Sequence, residues 1–426
     1  MMKSTEYRIT FQPSGRSVYV LAGTTVFEAA ARAGILLQSP CGGKGTCGKC
    51  RIRVLDGKCP PADACRRAFT DTQLEEGWRL ACQARVFADC AFEVPAESLF
   101  EKAEARILTA GLGRDVEIRP AVTKHYVELA APSQQDDIAD LPRLERALET
   151  RLEVNLDVLR ELPHALRRQE YRGTAVECNR RLLAFEEGDT TGTCYGVAFD
   201  VGTTTMVGTL VDLNRGTDVA IAATMNPQIA TGDDVISRIL HVRENPDALG
   251  RMQSSVIDAL NTLIEQLVAD AGIHSHTIYE VVMAGNTTMQ HLFCGISPAA
   301  LGGVPFPPVY HRGLTFNAGD VGLDVHPNGG CYVFPNIGGF VGGDTVAGIL
   351  AATMHVTDKP LLLVDIGTNG EIVLAHNGKL LAASTAAGPA FEGARITNGM
   401  RAANGAIEKV VCQDGDLCYN VIGNVK

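Results

Sequence analysis

The sequence lacks a long hydrophobic run. Its first residues, MMKSTEYRITFQ, have no extended apolar core, and no stretch reaches the roughly 18 apolar residues that indicate a membrane-spanning helix. Basic residues are also scarce, because 38 Lys and Arg stand against 49 Asp and Glu, which gives a formal charge of −11. Nucleic-acid binding needs clustered Lys and Arg, so this balance argues against it. We therefore expect a cytoplasmic protein that binds neither nucleic acid nor membranes.

The composition also avoids the extremes that mark disordered or fibrous chains. Hydrophobic residues make up 46% of the 426 residues and charged residues 20%, which is typical of globular proteins. At about 150 residues per domain, the length predicts two to four domains. Cysteine is abundant instead, and seven of the 13 cysteines lie within the first 90 residues. Since an odd total argues against a complete disulfide framework, this uneven distribution predicts thiol chemistry in the N-terminal part.

Changes in composition along the chain predict an α/β protein of several domains. Residues 1–97 combine short strands, one helix and a cysteine-rich loop, a pattern typical of a small β-grasp module. Residues 98–125 are expected to form a linker, and the polar residues 126–192, with their amphipathic helical patches, a small α+β middle domain. Residues 193–426 contain two similar strand-turn-strand units separated by helices, which predict a duplicated α/β architecture.

Three cysteines lie close together in the run PCGGKGTCGKC of residues 40–50. A [2Fe-2S] cluster needs four thiolates, so one short loop must fold back on itself. The glycines of the run permit the positive φ angles that this requires, and exposed backbone N–H groups can donate hydrogen bonds to sulfur. We choose Cys82, at the predicted start of a returning strand, as the fourth ligand. The expected ligands are therefore Cys41, Cys47, Cys50 and Cys82.

Other interpretations of these cysteines stay open. The same four thiols could hold zinc, although zinc sites usually combine two C-x2-C pairs and this region has one. Cys59, Cys65 or Cys90 could replace Cys82 as the fourth ligand. Because Cys59 and Cys65 lie in a loop with two prolines, we expect them to be thiols without a role in the cluster.

The cysteine run of residues 40–50 and the later segment RLACQ of residues 79–83 resemble a [2Fe-2S] ferredoxin domain. The C-x5-C-x2-C spacing departs from the plant-type C-x4-C-x2-C and is similar to that of adrenodoxin-like ferredoxins. The resemblance covers residues 1 to about 95. It implies transfer of one electron at a time, with no substrate chemistry at the cluster itself.

A second motif occurs twice between apolar strands, as DVGTTT at residues 200–205 and as DIGTNGE at residues 365–371. A tight turn of this kind directs backbone N–H groups and hydroxyls into one space, which suits phosphate oxygens. The Asp before each turn could orient Mg²⁺ or its waters, since Mg²⁺ takes few protein ligands. One such turn is a weak signal because Gly-Thr turns join strands in many proteins. Two copies with helices between them are far more specific.

The two turns are similar to the phosphate-1 and phosphate-2 loops of the actin-like, ribonuclease H-like ASKHA superfamily. The run GGFVGGD of residues 338–344 occupies the place of that superfamily's connecting helix. The resemblance implies two lobes that close on ATP and Mg²⁺. The chain ends 61 residues after Asp365, before the segment that binds adenosine in that superfamily, so the second lobe is expected to be incomplete. A pair of lobes that binds no nucleotide stays an alternative.

A ferredoxin-type domain joined to an ASKHA-like domain through a small middle domain is similar to one family, the reductive activators of corrinoid proteins. The resemblance also includes AGNTTM of residues 284–289 and AGPAFEG of residues 387–393. It implies ATP-dependent reduction of a corrinoid protein's cobalt from Co(II) to Co(I) in a methyltransferase system. This step is uphill for a cluster near about −400 mV. Each 100 mV costs about 2.3 kcal/mol, an amount that nucleotide binding and hydrolysis could supply.

The resemblance assigns roles to individual residues of the two turns. Asp200 and Asp365 are expected to be catalytic. Contacts to ATP and Mg²⁺ are expected from Asp200, Gly202, Thr203, Thr204, Thr205, Asp365, Gly367, Thr368 and Asn369. The polar residues 286–288 either face the cleft or cap a helix, and Glu392 is either an acid of the cleft or a solvated residue.

The resemblance also implies partners. These are a corrinoid protein and an electron donor such as a ferredoxin, a flavodoxin or a reductase, and a homodimer is a further expectation. Lys44 and Lys49 flank the cysteine loop and could steer an acidic donor, although lone lysines near a turn are usually just solvated. The alternative function is that of an electron carrier on an actin-like scaffold that does not hydrolyse ATP.

Overall fold

The computed structural model describes most of the chain, namely residues 6–33, 35, 37–39, 43–99, 117–232, 234–367, 370–385, 407–413 and 416–421. The predictions for Cys41, Thr368, Asn369 and Glu392 concern residues that lie outside these ranges. Within these ranges, no helix combines the length and the apolar character needed to cross a membrane.

The N-terminal region folds around a mixed five-stranded sheet. Its elements are β1 (Glu6–Gln12), β2 (Arg16–Leu21), α1 (Val26–Arg32), β3 (Arg51–Asp56), α2 (Asp63–Ala68), α3 (Asp71–Glu75), β4 (Trp78–Leu80) and β5 (Cys90–Glu93). The strand order is β2-β1-β5-β3-β4. Helix α1 begins after Thr25, whose side chain accepts a hydrogen bond from the Glu28 N–H at 3.2 Å. Ile9 and Phe11 of β1 are fully buried and share one core with α1.

A four-stranded sheet with two helices follows. Its elements are β6 (Val122–Glu128), α4 (Asp140–Leu148), β7 (Glu153–Val154), α5 (Leu156–Arg168), β8 (Arg172–Cys178) and β9 (Arg181–Glu187), and the strand order is β6-β8-β9-β7. Leu144, Leu162 and Leu166 of the helices are buried against Leu182 of the sheet. Strand β6 begins at Val122, within the segment 98–125 that we predict as a linker, and the domain boundaries stay predictions.

The largest region is built on a six-stranded sheet. Its elements are β10 (Tyr195–Val201), β11 (Thr205–Asp212), β12 (Thr217–Met225), α6 (Val235–Glu244), α7 (Ala248–Ala271), β13 (Ile278–Gly285), α8 (Thr287–Phe293), β14 (Leu314–Asn317), β15 (Gly330–Val333) and α9 (Gly343–Ala351). The strand order is β12-β11-β10-β13-β15-β14. Leu260, Leu263 and Leu267 of the long helix α7 are fully buried in the core that this sheet shares.

Two smaller sheets complete the described part of the chain. They contain β16 (Leu361–Ile366), β17 (Gly370–His376) and β18 (Lys379–Thr385), followed by β19 (Ile407–Gln413) and β20 (Asp416–Val421). In the three-stranded sheet, Val373 and Ala375 are fully buried in a cluster with Ile349 of α9. Leu362 and Ile366 of β16 are 64% and 83% exposed, so the other face of this sheet is largely exposed among the residues that the structure describes.

Candidate functional site

The cysteine loop lies at one end of the N-terminal sheet. Cys50 directly precedes β3, and Cys82 follows β4, which pairs antiparallel with β3. The Ala81 N–H donates a hydrogen bond to the Cys50 carbonyl at 2.8 Å, so the backbones around Cys50 and Cys82 are neighbours. Both cysteines are buried, whereas Cys47 is partly exposed. Three of the four predicted ligands thus belong to one end of the sheet, and Cys41 lies outside the described residues.

The described glycines of this loop adopt the conformations that the sequence predicts. Gly43, Gly45 and Gly48 have φ angles of +81°, +71° and +67°, which favour glycine. A Cβ atom at Gly45 would lie 2.9 Å from the Cβ of Ala64 and 2.9 Å from the Cγ of Gln83. The loop therefore wraps tightly against α2 and the turn after β4, with no space for a side chain. A wrapped glycine loop above buried thiols fits a [2Fe-2S] cluster.

The predicted local structure at Cys82 was wrong. Strand β4 ends at Leu80, and Cys82 lies in the turn that follows rather than at the start of a strand. The turn forms because the Gln83 N–H donates a hydrogen bond back to the Leu80 carbonyl at 2.9 Å. The Gln83 side chain also donates a hydrogen bond to the Gly43 carbonyl. This turn therefore joins the Cys82 segment to the cysteine loop.

The other N-terminal cysteines belong to the hydrophobic core. The thiols of Cys59 and Cys90 each donate to a backbone carbonyl at 3.7 Å, and Cys65 Sγ accepts from the Leu80 N–H at 3.4 Å. Burial raises the pKa of the Cys59 thiol to about 11. Because metals bind the thiolate, burial and the hydrogen bonds that these two thiols donate argue against Cys59 and Cys90 as cluster ligands.

A second candidate site lies between the two hairpins that carry the repeated motif. A cavity of about 360 Å³ is lined there by Asp200, Gly202, Thr203, Thr204, Thr205, Asn286, Asp344, Asp365, Ile366, Gly367 and Glu371. The structure therefore brings together all predicted nucleotide contacts that it describes. Thr368 and Asn369 lie outside the described residues.

The first turn is tight because glycine permits it. The Gly202 N–H donates to the Thr205 carbonyl at 2.9 Å, and a Cβ atom at Gly202 would lie 2.6 Å from that carbonyl oxygen. The side chains of two distant residues hold the turn. Asn226 Nδ2 donates to the Gly202 carbonyl at 2.8 Å, and Asn286 Nδ2 donates to Thr203 Oγ1 at 2.9 Å. The turn is consequently fixed on both sides.

Arg238 lies fully buried behind the first turn. Its guanidinium donates to the Thr203 carbonyl, to the Gly232 carbonyl at 3.0 Å and to Gln228 Oε1 at 3.1 Å. One side chain therefore connects the turn to the segment of residues 228–232. Arg238 was not predicted from the sequence, because an arginine in a helix gives no local signal of burial.

Asn286 combines the two roles that the sequence left open. Its Oδ1 accepts a hydrogen bond from the Met289 N–H at 3.0 Å, which caps α8, while its Nδ2 reaches the first turn at the cavity. Close packing brings α9 to the same place. A Cβ atom at Gly342 would lie 2.5 Å from the Cα of Asn286, and one at Gly343 would lie 2.4 Å from Gln290 Nε2.

Four carboxyl groups meet in the cavity, from Asp200, Asp344, Asp365 and Glu371. Burial and the neighbouring Asp365 raise the pKa of Asp200, and burial raises the pKa of Asp365. Burial, with nearby carboxylates as a second cause, raises the pKa of Asp344 to about 6 and that of Glu371 to about 7. Such mutual repulsion is relieved by a cation, and Mg²⁺ prefers oxygen ligands.

Asp344 and Glu371 were quoted in the motifs but not predicted as site residues. Asp344 lies in the first turn of α9. Glu371 lies two residues before Val373 and four before Ala375 in β17, so all three are on the buried face of the strand, and this period of two could have identified Glu371 from the sequence. Within the described ranges, no group of three or more His, Cys, Asp or Glu side chains is already arranged to hold a metal ion.

Models of four protein regions match the chain. Residues 9–87 match a 2Fe-2S iron-sulfur cluster binding domain, residues 111–192 the RACo linker region, residues 195–357 the RACo middle region, and residues 359–426 the C-terminal domain of RACo, the ASKHA domain. These matches define a chain in which a [2Fe-2S] domain is joined to an ASKHA domain. The predicted fold class and the predicted [2Fe-2S] cofactor are thereby confirmed, and the ASKHA domain supports ATP as the nucleotide.

Two long matches identify the family. The corrinoid activation enzyme RamQ of Eubacterium limosum is 33% identical over 423 residues, covering 98% of this chain and 67% of RamQ. The solved structure of a reductive activator for a corrinoid, iron-sulfur protein is 34% identical, with a TM-score of 0.67, and the match covers 99% of this chain and 70% of that one. The chain belongs to the family of reductive activators of corrinoid proteins.

The N-terminal domain also has relatives of another kind. A component of the Na(+)-translocating NADH-quinone reductase of Chlamydia pneumoniae is 43% identical over 75 residues, which are 18% of this chain and 17% of that component. The likeness is thus confined to a short part of both proteins. The roles of individual residues at the cysteine loop and in the cavity stay predictions.

Proposed function

We propose that this protein uses ATP to reactivate a corrinoid protein of a methyltransferase system, reducing its cobalt from Co(II) to Co(I). The observation that carries the proposal is one chain with both a [2Fe-2S] domain and a cavity where two Asp-x-Gly-Thr hairpins and four carboxyls meet. When bound, the cluster supplies one electron per transfer. Family membership and the likeness to RamQ support this combination.

In this proposal the N-terminal loop holds the cluster. Cys41, Cys47, Cys50 and Cys82 would be the ligands, and the glycine-rich backbone would direct N–H groups towards the sulfurs. The burial of Cys50 and Cys82 keeps water from one side of the site, while the partly exposed Cys47 lies nearest to the surface of the three described cysteines. An electron would therefore enter and leave on the side of Cys47.

The cavity would bind the phosphates of ATP with Mg²⁺. The backbone N–H groups and hydroxyls of Thr203 to Thr205 would contact phosphate oxygens, and Asp200 would hold Mg²⁺ or its waters. Asp365 would orient the water that attacks the terminal phosphate. Asp344 and Glu371 would add two further carboxyl groups to the site, and Mg²⁺ would favour their ionised forms.

The two hairpins belong to different sheets, which gives the cavity a means of coupling. Asp200 belongs to β10 of the six-stranded sheet, and Asp365 belongs to β16 of the three-stranded one. A nucleotide that contacts both hairpins would stabilise the closed arrangement of the two sheets. Hydrolysis would remove this stabilisation and let the sheets move apart. A shift of this kind would change how the [2Fe-2S] domain meets its partner.

The proposed partners follow from this chemistry. They are a corrinoid protein as electron acceptor and a ferredoxin, a flavodoxin or a reductase as electron donor. A homodimer and a cytoplasmic location stay predictions.

The decisive experiment mixes the anaerobically purified, reduced protein with Mg-ATP and a Co(II) corrinoid protein, and follows the Co(I) absorption band. We expect the band to grow only with ATP. Asp200→Asn should abolish the ATP-dependent part, whereas Asp218→Asn, an exposed residue of β12 outside the cavity, should leave it intact. No ATP-dependent growth with a cluster-loaded protein would refute the proposal.

The alternative function, electron transfer on an actin-like scaffold without hydrolysis, makes a different prediction. It expects a cluster spectrum and no affinity for ATP. Titration calorimetry with Mg-ATP separates the two functions, because only the proposed activator gives a binding isotherm, and Asp200→Asn should weaken it.

A further inference from the structure

Charge is distributed unevenly between the N-terminal region and the rest of the chain. Residues 1–99 contain 13 Lys and Arg against 10 Asp and Glu, a net charge of +3, whereas residues 100–426 contain 25 against 39, a net charge of −14. The domain that carries the cysteine loop is therefore cationic within an acidic protein. Such asymmetry orients charged partners before they make contact.

The positive charge is concentrated around the cysteine loop. Lys44 and Lys49 are exposed on either side of Cys47. Arg51 is also exposed, and its Nε donates to the Gly48 carbonyl at 2.9 Å, so its guanidinium is held against the loop. It also lies 5.5 Å from the ring centroid of Phe69, over the ring face.

Helix α2 extends this positive surface. Arg66 and Arg67 are exposed in its last turn, and the helix lies against the loop, because a Cβ atom at Gly45 would be 2.9 Å from the Cβ of Ala64. Asp63 is the acidic residue of these two segments, residues 43–51 and 63–68, both of which the structure describes throughout. We call the five cations the basic rim, which consists of Lys44, Lys49, Arg51, Arg66 and Arg67.

We propose that the basic rim docks a small acidic protein that donates electrons to the [2Fe-2S] cluster. The proposal rests on the proposed function, since it assumes that the cluster must be reduced between turnovers. One electron passes from the donor, which is oxidised, to the cluster, which is reduced, while no bond forms or breaks and no proton moves. Redox encounters of this type use small, weak interfaces, so steering by charge sets their rate.

The rest of the chain favours the electron donor over the corrinoid protein as the occupant of the rim. A donor needs contact only with the cluster, and the net charge of −14 elsewhere repels an acidic protein from every other approach. The corrinoid protein has to respond to the nucleotide state of the cavity, so its contacts extend to the acidic part of the chain. The rim therefore suits a partner that touches the N-terminal domain alone.

The test compares two double variants with equal changes of net charge. Lys44→Glu with Lys49→Glu reverses two charges of the rim. The control, Arg8→Glu with Lys58→Glu, reverses two exposed charges at the other end of the same sheet. Strand β3, six residues long, separates the two ends by about 20 Å. Because all four side chains are exposed, both variants should fold.

The measurements use an acidic flavodoxin and an acidic ferredoxin as donor probes, and dithionite as a reductant that needs no docking surface. At low ionic strength, the rim variant should bind oxidised flavodoxin more weakly by calorimetry, and reduced flavodoxin should reduce its cluster about tenfold more slowly in stopped flow. The difference should vanish in about 1 M salt, where the Debye length is about 3 Å. Reduction by dithionite and the cluster spectrum should not change.

Several outcomes would overturn the docking surface. These are an unchanged rate in the rim variant, an equal loss in the control variant, and a wild-type rate with both acidic donors that does not depend on salt. A rim variant that keeps its donor rate but loses affinity for the corrinoid protein would assign the rim to the acceptor instead. ATP-dependent Co(I) formation driven by dithionite tests the proposed function separately, and the rim variant should retain it.

Discussion

The two hairpins that form the cavity share one motif but differ in their surroundings. Val201, which follows Asp200, is fully buried, whereas Ile366, which follows Asp365, is 83% exposed. The residues before the two aspartates differ in the same way, because Phe199 is 2% exposed and Val364 is 47% exposed. Similar local sequences therefore form similar turns in very different environments.

The difference comes from the sheets behind the turns. Strands β10 and β11 lie inside a six-stranded sheet that packs on α7, and three side chains from elsewhere reach their turn, those of Asn226, Arg238 and Asn286. Strands β16 and β17 lie in a three-stranded sheet with one covered face. The motif thus specifies the turn, and the rest of the fold decides how firmly the turn is held.

The largest expected effect tests this difference in burial directly. Phe199→Ala should lower the free energy of unfolding by about 3–5 kcal/mol, because it leaves a cavity in a packed core. Val364→Ala, at the matching position of the second hairpin, should cost less than about 1 kcal/mol, since much of its side chain is already exposed. Urea denaturation followed by far-ultraviolet circular dichroism measures both. Equal losses would show that the two hairpins are supported alike.

The features that sequence patterns predicted are local ones. The apolar strands around residues 200–205 and 365–371 follow from their hydrophobic runs and glycine turns. The positive φ angles at the glycines of the cysteine loop follow from the need to wrap a short loop. Each of these depends on a few neighbouring residues.

The features that were missed depend on distant parts of the chain. Arg238 lies in α6, where a charged residue is ordinarily solvated, and only the fold places its guanidinium behind Thr203. Asp344 becomes a residue of the cavity because Gly342 and Gly343 let α9 approach α8 closely. Cys82 was expected at the start of a strand, and a backbone hydrogen bond back to Leu80 creates a turn there instead.

The second expected effect is a dependence of the free energy of unfolding on pH. It comes from the carboxyl groups of Asp344 and Glu371 in the cavity. In the folded protein without Mg²⁺, the pKa of Asp344 is raised from 3.8 to about 6, and that of Glu371 from 4.5 to about 7. Between about pH 4 and pH 7 the folded state therefore binds more protons than the unfolded state, so the free energy of unfolding falls as the pH rises. One pKa unit corresponds to about 1.4 kcal/mol. Because Asp344 raises the pKa of Glu371, the two shifts overlap rather than add, and the fall amounts to a few kcal/mol.

Chemical denaturation over this pH range, with and without Mg²⁺, measures the effect. Mg²⁺ should stabilise the protein more at the upper end of the range than at the lower end, because it binds the ionised carboxyls. The double variant Asp344→Asn with Glu371→Gln should lose most of the dependence of the free energy of unfolding on pH, and Asp218→Asn should keep it. If the double variant keeps this pH dependence, the groups that cause it lie outside the cavity.

The smallest expected effect concerns the support of the first turn. Arg238→Lys keeps the positive charge but cannot reach the carbonyls of Thr203 and Gly232 and the Gln228 side chain together, because an ammonium lacks the planar fork of the guanidinium. The first turn should loosen, and Mg-ATP should bind about tenfold more weakly. This corresponds to a loss of about 1.4 kcal/mol of binding free energy, which is the size of one lost hydrogen bond to a charged group. Calorimetry measures this loss, with Arg243→Lys, an exposed residue of the same helix, as the control.

Hydrogen exchange in the Arg238→Lys variant should increase in β10 and β11 but not in β16 and β17. An equal increase in both hairpins would mean that Arg238 stabilises the region as a whole rather than the first turn.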